Sequence, residues 1–342
     1  MVNFSDLKKP FIIAEMSGNH NQSLEKAIKI VEEAAKAGVD ALKLQTYTPD
    51  TMTLDVKENE FFISDKSSLW QGTSLYELYQ KAYTPWEWHE PIFKRCRELG
   101  LVYFSTPFDS TAVDFLETLQ VPFYKIASFE NTDLPLIHKV AATGKPIIMS
   151  TGMATLGELE EAVSIIKKNN NELILLKCTS SYPANHSHAN LRTLASLKEI
   201  FNCTVGISDH TQGIGTAIAS VALGGKVIEK HFVLSRAEGG VDSAFSLEPE
   251  EMKNLVIEAN RAFSSLGEIH FGATEGEKSS LIYRRSLYIV KDVKAGELLT
   301  ANNVKSLRPS KGLPPKFYES VVGKKAKCAL KKGMALSWEM VD

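Results

Sequence analysis

Several features that mark other classes of protein are missing from this 342-residue sequence. No run of apolar residues approaches the ~18 that a membrane span needs, and residues 1–10 are polar and charged, unlike a signal peptide. The four cysteines are widely spaced and form no Cys-x-x-Cys pair, so they indicate neither a zinc knuckle nor a disulfide framework. We therefore expect reduced thiols and a cytoplasmic protein.

An excess of charge of one sign is also missing. The 39 Lys and Arg side chains nearly balance the 41 Asp and Glu side chains, which leaves a formal net charge of -2, and no long basic run occurs. Neither nucleic acid nor a membrane surface is therefore expected as a partner. Hydrophobic residues make up 44% of the chain, an ordinary share for a globular protein with a substantial core.

Short apolar segments of strand length recur through the first two-thirds of the chain. Eight are predicted as strands, at residues 11–17, 41–47, 102–108, 123–129, 146–152, 173–180, 204–210 and 226–233. Amphipathic segments follow many of them, including 24–37, 111–119, 156–169, 191–201 and 248–266. Because this alternation is typical of a covered parallel sheet, we predict an α/β fold, a (β/α)8 TIM barrel. An open doubly wound sheet is the alternative, but no Gly-x-Gly-x-x-Gly turn follows the first strand.

The alternation of predicted strands and helices is interrupted at two places. Residues 48–84 form one long connection, which contains a predicted helix at 75–82 and precedes another at 86–98. Long connections of this kind often bind ligands. After residue 267 the composition turns to Gly, Glu, Lys and Ser, and two similar turns follow, at 293–297 and 330–334. We predict a barrel at 1–267, a linker at 268–283 and a small β-rich domain at 284–342.

Polar residues gather where the predicted strands end. In such barrels the catalytic groups lie at these C-terminal ends. The set is Glu15, Lys43, Gln45, Ser105, Thr106, Lys125, Ser128, Glu130, Ser150, Thr151, Thr179, Ser180, Ser181, Ser208, Asp209, His210, Glu229, Lys230 and His231. Two lysines among hydroxyl groups predict a cradle for a phosphorylated substrate. The alternative is that each lysine merely pairs with a barrel carboxylate such as Glu15.

The two histidines end neighbouring strands, so their imidazoles can converge. Such a pair, completed by water and carboxylate oxygens, suits a divalent ion, Mn²⁺ or Mg²⁺. The alternative is that His210 and His231 contact only the substrate.

Eight ordered motifs, taken together, resemble the sialic acid synthase family, whose members condense phosphoenolpyruvate with an N-acetylated aminosugar. Four of the motifs are Lys43-Leu44-Gln45-Thr46, Tyr124-Lys125-Ile126-Ala127-Ser128, Gly206-Ile207-Ser208-Asp209-His210 and Ile228-Glu229-Lys230-His231. The C-terminal domain, with Leu307-Arg308-Pro309-Ser310-Lys311-Gly312, looks like the family's antifreeze-like (SAF) domain.

Within the family, the pseudaminic acid branch is the most similar. That branch acts on 2,4-diacetamido-2,4,6-trideoxy-altrose. The similarity lies in Thr46-Tyr47-Thr48-Pro49-Asp50, in Ala127-Ser128-Phe129-Glu130 and in residues 308–313. Synthesis of N-acetylneuraminate or of legionaminic acid is the alternative, although Phe129 and Ser180 depart from the N-acetylneuraminate pattern.

The resemblance also implies roles for single residues. Substrate binding is implied for Lys43, Gln45, Thr106, Lys125, Ser128, Ser150, Ser180, Ser208 and Arg308. A divalent metal is implied on His210 and His231, with Mn²⁺ expected and Mg²⁺ or Co²⁺ as alternatives. Sugar contact or proton transfer is implied for Glu15, Glu130 and Asp242. A domain-swapped homodimer is implied as well, in which Arg308 of one chain completes the site of the other.

Two other functions stay open on the residues alone. One is an aldolase that forms a Schiff base on Lys43 or Lys125, which borohydride trapping with substrate would inactivate. The other is a barrel that binds a sugar phosphate without catalysis, since fold does not fix function.

Overall fold

The computed structural model describes residues 2–66 and 68–342. The chain forms two compact units, Met1–Gly267 and Glu268–Asp342, and each is described by itself.

The first unit is a closed barrel of eight parallel strands in sequence order. The strands are β1 (Phe11–Glu15), β2 (Ala41–Thr46), β3 (Val102–Pro107), β4 (Tyr124–Ile126), β5 (Ile147–Ser150), β6 (Leu173–Cys178), β7 (Thr204–Asp209) and β8 (Val227–His231). Closure occurs where β1 pairs with β8 as well as with β2. The predicted TIM barrel is therefore confirmed.

Helices connect the strands and cover the barrel. They are α1 (Leu24–Ala37), α2 (Pro49–Met52), α3 (Leu75–Ala82), α4 (His89–Glu98), α5 (Ser110–Thr118), α6 (Leu134–Ala141), α7 (Leu156–Lys168), α8 (Thr193–Phe201), α9 (Gly215–Ala222) and α10 (Pro249–Ser265). Local signals set their ends. For example, the Ser23 side chain accepts a hydrogen bond from the Lys26 N–H at the start of α1, and Gly38, with φ of 85°, ends it.

Two predicted elements differ from the structure. The helix predicted at 86–98 is a short 3-10 turn, Trp86–Trp88, followed by α4, because Pro91 has no N–H and is tolerated only in the first turn of an α-helix. The strand predicted at 123–129 ends at Ile126, and Ser128–Glu130 forms a 3-10 turn. This turn lets the Ser128 hydroxyl accept a hydrogen bond from the Gly152 N–H at 3.1 Å.

An aromatic cluster fills the N-terminal end of the barrel. Phe4 is fully buried, and its ring centroid lies 5.3 Å from that of Phe11 and 5.2 Å from that of Phe123. Phe104 packs on Phe123 at 4.4 Å. Because this end is closed by apolar side chains, the polar interior is confined to the C-terminal end.

The second unit is small and contains an antiparallel pair, β9 (Ser286–Ile289) and β10 (Val304–Leu307), and a short helix α11 (Tyr318–Val321). Its core includes Leu287, Ile289, Val304 and Leu336. A 3-10 helix, Glu275–Tyr283, lies within the segment predicted as a linker. In the described part of the chain, no helix is long and apolar enough to cross a membrane.

Candidate active site

Strand register brings the predicted residues to one end of the barrel. Glu15, the last residue of β1, lies opposite Lys43 of β2 and His231 of β8. Ser208 of β7 lies opposite Glu229 of β8. The side chains of these five residues are at least nine-tenths buried, although all are polar. Their mutual contacts, or a ligand, must therefore satisfy them.

Lys43 lies at the centre of this polar cluster. Its Nζ is 3.0 Å from Glu15 Oε2 and 3.2 Å from Glu229 Oε1, and it donates a hydrogen bond to Thr106 Oγ1 at 3.3 Å. Burial alone would lower the pKa of Lys43, but the two carboxylates outweigh burial and raise it. Lys43 is therefore a cation, and the pairing with Glu15 that was one alternative is present.

Lys125 supplies the second ammonium group. Its Nζ donates to Ser150 Oγ at 2.7 Å and lies 3.8 Å from Glu229 Oε1. Burial lowers the pKa of Lys125 to about 8, and Glu229 partly opposes that shift. At neutral pH the two lysines and the carboxylate between them form one connected charged group.

Hydroxyl groups converge beside Lys125 around a glycine. A Cβ atom added to Gly152 would lie 2.2 Å from Ser180 Oγ and 2.6 Å from Ser128 Oγ, so the space above this residue is open only because it is glycine. Asn131 holds the same loop by donating to the Gly152 carbonyl at 3.0 Å. The arrangement is a cradle of cations and hydroxyl groups, which suits a phosphate or carboxylate.

The two histidines face each other, with ring centroids 5.3 Å apart. His210 Nδ1 lies 3.1 Å from the Thr179 carbonyl, to which it donates, so its Nε2 carries a lone pair. His231 Nδ1 is buried without a hydrogen-bond partner among the described residues, and it lies 3.9 Å from Asp242 Oδ2. Burial, reinforced by His210, holds the pKa of His231 well below its usual value.

A divalent ion fits this donor set. Burial lowers the pKa of His210, but Cys178 and the Thr179 carbonyl outweigh burial and raise it, so a metal ion would displace a proton there. Two deprotonated imidazole nitrogens beside a carboxylate are ordinary ligands for Mn²⁺. No group of three or more His, Cys, Asp or Glu side chains within residues 2–66 and 68–342 has a metal-binding arrangement. His210 and His231 would therefore share such an ion with water and substrate oxygen atoms.

Three predicted carboxylates surround the cradle and the histidine pair. Burial raises the pKa of Glu15 to about 7 and that of Glu130 to about 7, although neighbouring lysines oppose both shifts. Gln45 donates to Glu15 Oε1 at 3.0 Å, and Asp242 accepts a hydrogen bond from the Ser17 hydroxyl. Arg308 follows β10 in the second unit and is exposed there.

The sequence prediction missed several residues of the site. The sequence places Glu229 among the polar strand-end residues without giving it a role, yet its side chain bridges both lysines and accepts a hydrogen bond from Ser208 Oγ at 3.1 Å. Tyr182 packs beside His210 with ring centroids 4.5 Å apart and the rings tilted by 54°, and Phe245 packs against His231 at 4.9 Å. Both aromatic residues lie in loops after strands, so only their position behind β6 and β8 could have indicated them.

Two aromatic residues from the segments shared with the pseudaminic acid branch, Tyr47 and Phe129, lie away from the histidine pair. Tyr47 is buried between the rings of Tyr79 and Phe108, while Phe129 is 60% exposed. Neither lies in the aromatic contacts around the histidines.

Comparison with known proteins gives a consistent result. The sequence matches the model of the NeuB family over residues 30–271 and that of the SAF domain over residues 284–342. It is 47% identical to a pseudaminic acid synthase of Campylobacter jejuni, covering 98% of this chain and 97% of that one. It is 45% identical to a pseudaminic acid synthase of Helicobacter pylori, covering 98% and 99%.

More distant similarity extends to related activities. An N,N'-diacetyllegionaminic acid synthase of C. jejuni is 37% identical, over 93% of this chain and 96% of that one. A crystal structure of an N-acetylneuraminic acid synthetase from Leptospira borgpetersenii, in complex with citrate, is 31% identical with a TM-score of 0.73, covering 82% of this chain and 94% of that one.

Proposed function

The chain belongs to the NeuB family, and on that premise we propose that it is a pseudaminic acid synthase. It would condense phosphoenolpyruvate with 2,4-diacetamido-2,4,6-trideoxy-altrose and release phosphate. One observation carries the proposal: a cradle of two ammonium groups and several hydroxyl groups lies at the same barrel end as a buried pair of histidines. The identity of 45–47% to pseudaminic acid synthases favours this sugar over the alternatives.

The cradle binds phosphoenolpyruvate. Lys43 and Lys125 neutralise its phosphate and carboxylate, while Ser128, Ser150, Ser180 and Thr106 supply directional hydrogen bonds. Glu229 holds the two ammonium groups at a fixed separation, because its Oε1 contacts both.

The reaction forms one carbon–carbon bond and breaks one carbon–oxygen bond. Carbon 3 of phosphoenolpyruvate attacks the sugar aldehyde, whose oxygen gains a proton. Water adds to carbon 2 and loses a proton, and the resulting tetrahedral species breaks its bond to the phosphate oxygen. His210 and His231 would hold a divalent ion, which would supply a Lewis acid for the aldehyde oxygen when bound.

Glu15 and Glu130 are the carboxyl groups that can transfer the protons of this reaction. The pKa values of about 7 for Glu15 and Glu130 allow each group to give or take a proton near neutral pH. Asp242, adjacent to His231, would accept a hydrogen bond from a sugar hydroxyl.

The proposal includes a cytoplasmic, domain-swapped homodimer. Residues 284–342 carry thirteen Lys and Arg side chains against five Asp and Glu, so the rest of the chain has an excess of acidic residues. Such opposite charges favour docking of the C-terminal domain on a barrel. Arg308 of one chain would then contact the sugar in the site of the other, where its planar guanidinium can bind a carbonyl or carboxylate group in two-point fashion.

The direct test is a panel of aldehydes. The purified protein is incubated with phosphoenolpyruvate, Mn²⁺ and each sugar, and both phosphate and product mass are measured. We expect the highest kcat/KM with the altro-configured diacetamido sugar. A higher kcat/KM with the legionaminic acid precursor or with N-acetylmannosamine would show that the protein makes a different nonulosonic acid. No phosphate release with any sugar would contradict synthase activity.

A further inference from the structure

A tryptophan from the long connection lies at the edge of the site. Two backbone hydrogen bonds lie beside Trp70: Ile63 N–H donates to the Thr73 carbonyl at 3.0 Å, and Gly72 N–H donates to the Ile63 carbonyl at 2.9 Å. The ring centroid of Trp70 lies 5.9 Å from that of Tyr182. Trp70 is thus the outermost member of a row of aromatic contacts that leads through Tyr182 to His210.

The indole is fixed on its other side by a hydrogen bond. Trp70 Nε1 donates to the Val241 carbonyl at 2.8 Å, and Val241 directly precedes Asp242. The ring therefore joins the long connection to the loop after β8, one residue from a carboxylate of the site. Its orientation is set by two contacts, yet the side chain is only partly buried.

A cavity of about 620 Å³ adjoins the indole. Its lining residues are Asn21, Gln22, Trp70, Gln71, Gly72, Thr73, Leu78, Lys81, Gly240 and Val241. Three of these side chains are amides, and none of the lining residues is acidic. Apart from the ammonium group of Lys81, the polar groups of the lining are neutral donors and acceptors beside an aromatic face, which suits an amide-bearing sugar.

We propose that this cavity is the subsite for the second acylamino group of the sugar, with Trp70 as a specificity-determining residue. The inference rests on the proposed function, which puts the aldehyde at the histidine pair. Carbons 1 to 4 of the sugar and the amide on carbon 4 together extend ~7 Å from the histidine pair, about the length of two residues of extended chain. This length is enough to pass Asp242 and reach Val241. In this subsite the acetyl methyl group packs on the indole, and the sugar amide forms hydrogen bonds with the side-chain amides that line the cavity.

The test compares two sugars that differ at one carbon. They are 2,4-diacetamido-2,4,6-trideoxy-altrose and its analogue with a hydroxyl group at carbon 4. In Trp70→Ala, kcat/KM for the diacetamido sugar should fall about tenfold or more, because a lost apolar contact costs 10–200-fold. The value for the analogue should change less than about threefold, and KM for phosphoenolpyruvate should stay constant.

Two further variants separate recognition from folding. Trp70→Phe keeps a ring, and we expect it to retain most of the preference for the diacetamido sugar. Trp86→Phe is the matched control, because Trp86 also donates its indole N–H to a backbone carbonyl, that of Tyr47 at 3.2 Å. It should leave the ratio of the two kcat/KM values unchanged. Equal losses for both sugars in Trp70→Ala, or no loss for either, would overturn the inference.

Failure of the proposed function gives a different result. If the unmodified protein turned over neither sugar, the proposed synthase activity would be wrong. The subsite would then be tested by measuring the binding of the diacetamido sugar by calorimetry, in the unmodified protein and in Trp70→Ala. Binding that Trp70→Ala weakens at least tenfold would support it. Absent binding, or binding equal in the two proteins, would refute it.

Discussion

At the scale of single residues, the charge on Lys125 depends on Glu229. The pKa of Lys125 is lowered to about 8, so its ammonium group, which binds phosphoenolpyruvate, is lost as pH rises through 8. We predict that kcat/KM for phosphoenolpyruvate falls above that pH. The pH dependence of kcat/KM reports ionisable groups of the free enzyme, so Lys125 should appear in it.

Replacing Glu229 tests the cause of this dependence. Glu229→Gln removes the carboxylate that favours the ammonium group, so the alkaline limb of the pH profile should move to lower pH by about one unit. Glu161→Gln, at an exposed position of α7, is the control and should leave the limb in place. An alkaline limb at the same pH in Glu229→Gln would show that Glu229 does not affect the pKa of Lys125.

The histidine pair carries a second prediction at this scale. His231→Ala should abolish turnover and lower the Mn²⁺ content of the purified protein, because one of two imidazole ligands is gone. His270→Ala, which changes an exposed histidine, should affect neither measurement. Full activity of the protein after exhaustive chelation would contradict a metal site at these histidines.

At the scale of elements, close packing between β7 and β8 requires glycine at one position. A Cβ atom at Gly206 would lie 2.0 Å from the Val227 carbonyl oxygen, a backbone atom that cannot move aside. We predict that Gly206→Ala lowers the free energy of unfolding by about 1–3 kcal/mol or more. The measurement is urea unfolding followed by tryptophan fluorescence.

A second glycine provides the comparison. Gly215 begins α9, and an added Cβ there would meet no atom within 4 Å. Gly215→Ala should therefore change the free energy of unfolding by less than about 0.5 kcal/mol or stabilise slightly. Equal effects of the two substitutions would mean that the packing of β7 against β8 does not determine stability.

The elements also show what the sequence can and cannot predict. Apolar runs predict most strand ends to within two residues, and the elements that end there carry Lys43 and the two histidines. The end of β4 was missed because a turn, rather than a loss of apolar character, stops that strand. Trp70 lies far from Tyr182 in sequence, and their contact depends on loop geometry that no periodicity records.

At the scale of the whole molecule, the proposed dimer makes a prediction about mixtures. Arg308→Ala and His231→Ala are each expected to be inactive. If sites are shared, a mixed dimer has one site with both lesions and one with neither, so its activity should approach about half that of the unmodified dimer. Mixtures shown to contain heterodimer but lacking activity would mean that each arginine serves its own barrel.

The central claim is a condensation that breaks the carbon–oxygen bond of phosphoenolpyruvate, and an isotope label tests it most directly. Phosphoenolpyruvate carrying ¹⁸O in the bridging position is incubated with the protein, Mn²⁺ and 2,4-diacetamido-2,4,6-trideoxy-altrose, and both products are analysed by mass spectrometry. The account predicts a nonulosonic acid without label and phosphate that carries all of it. Label retained in the sugar product, or no condensation product at all, would contradict it.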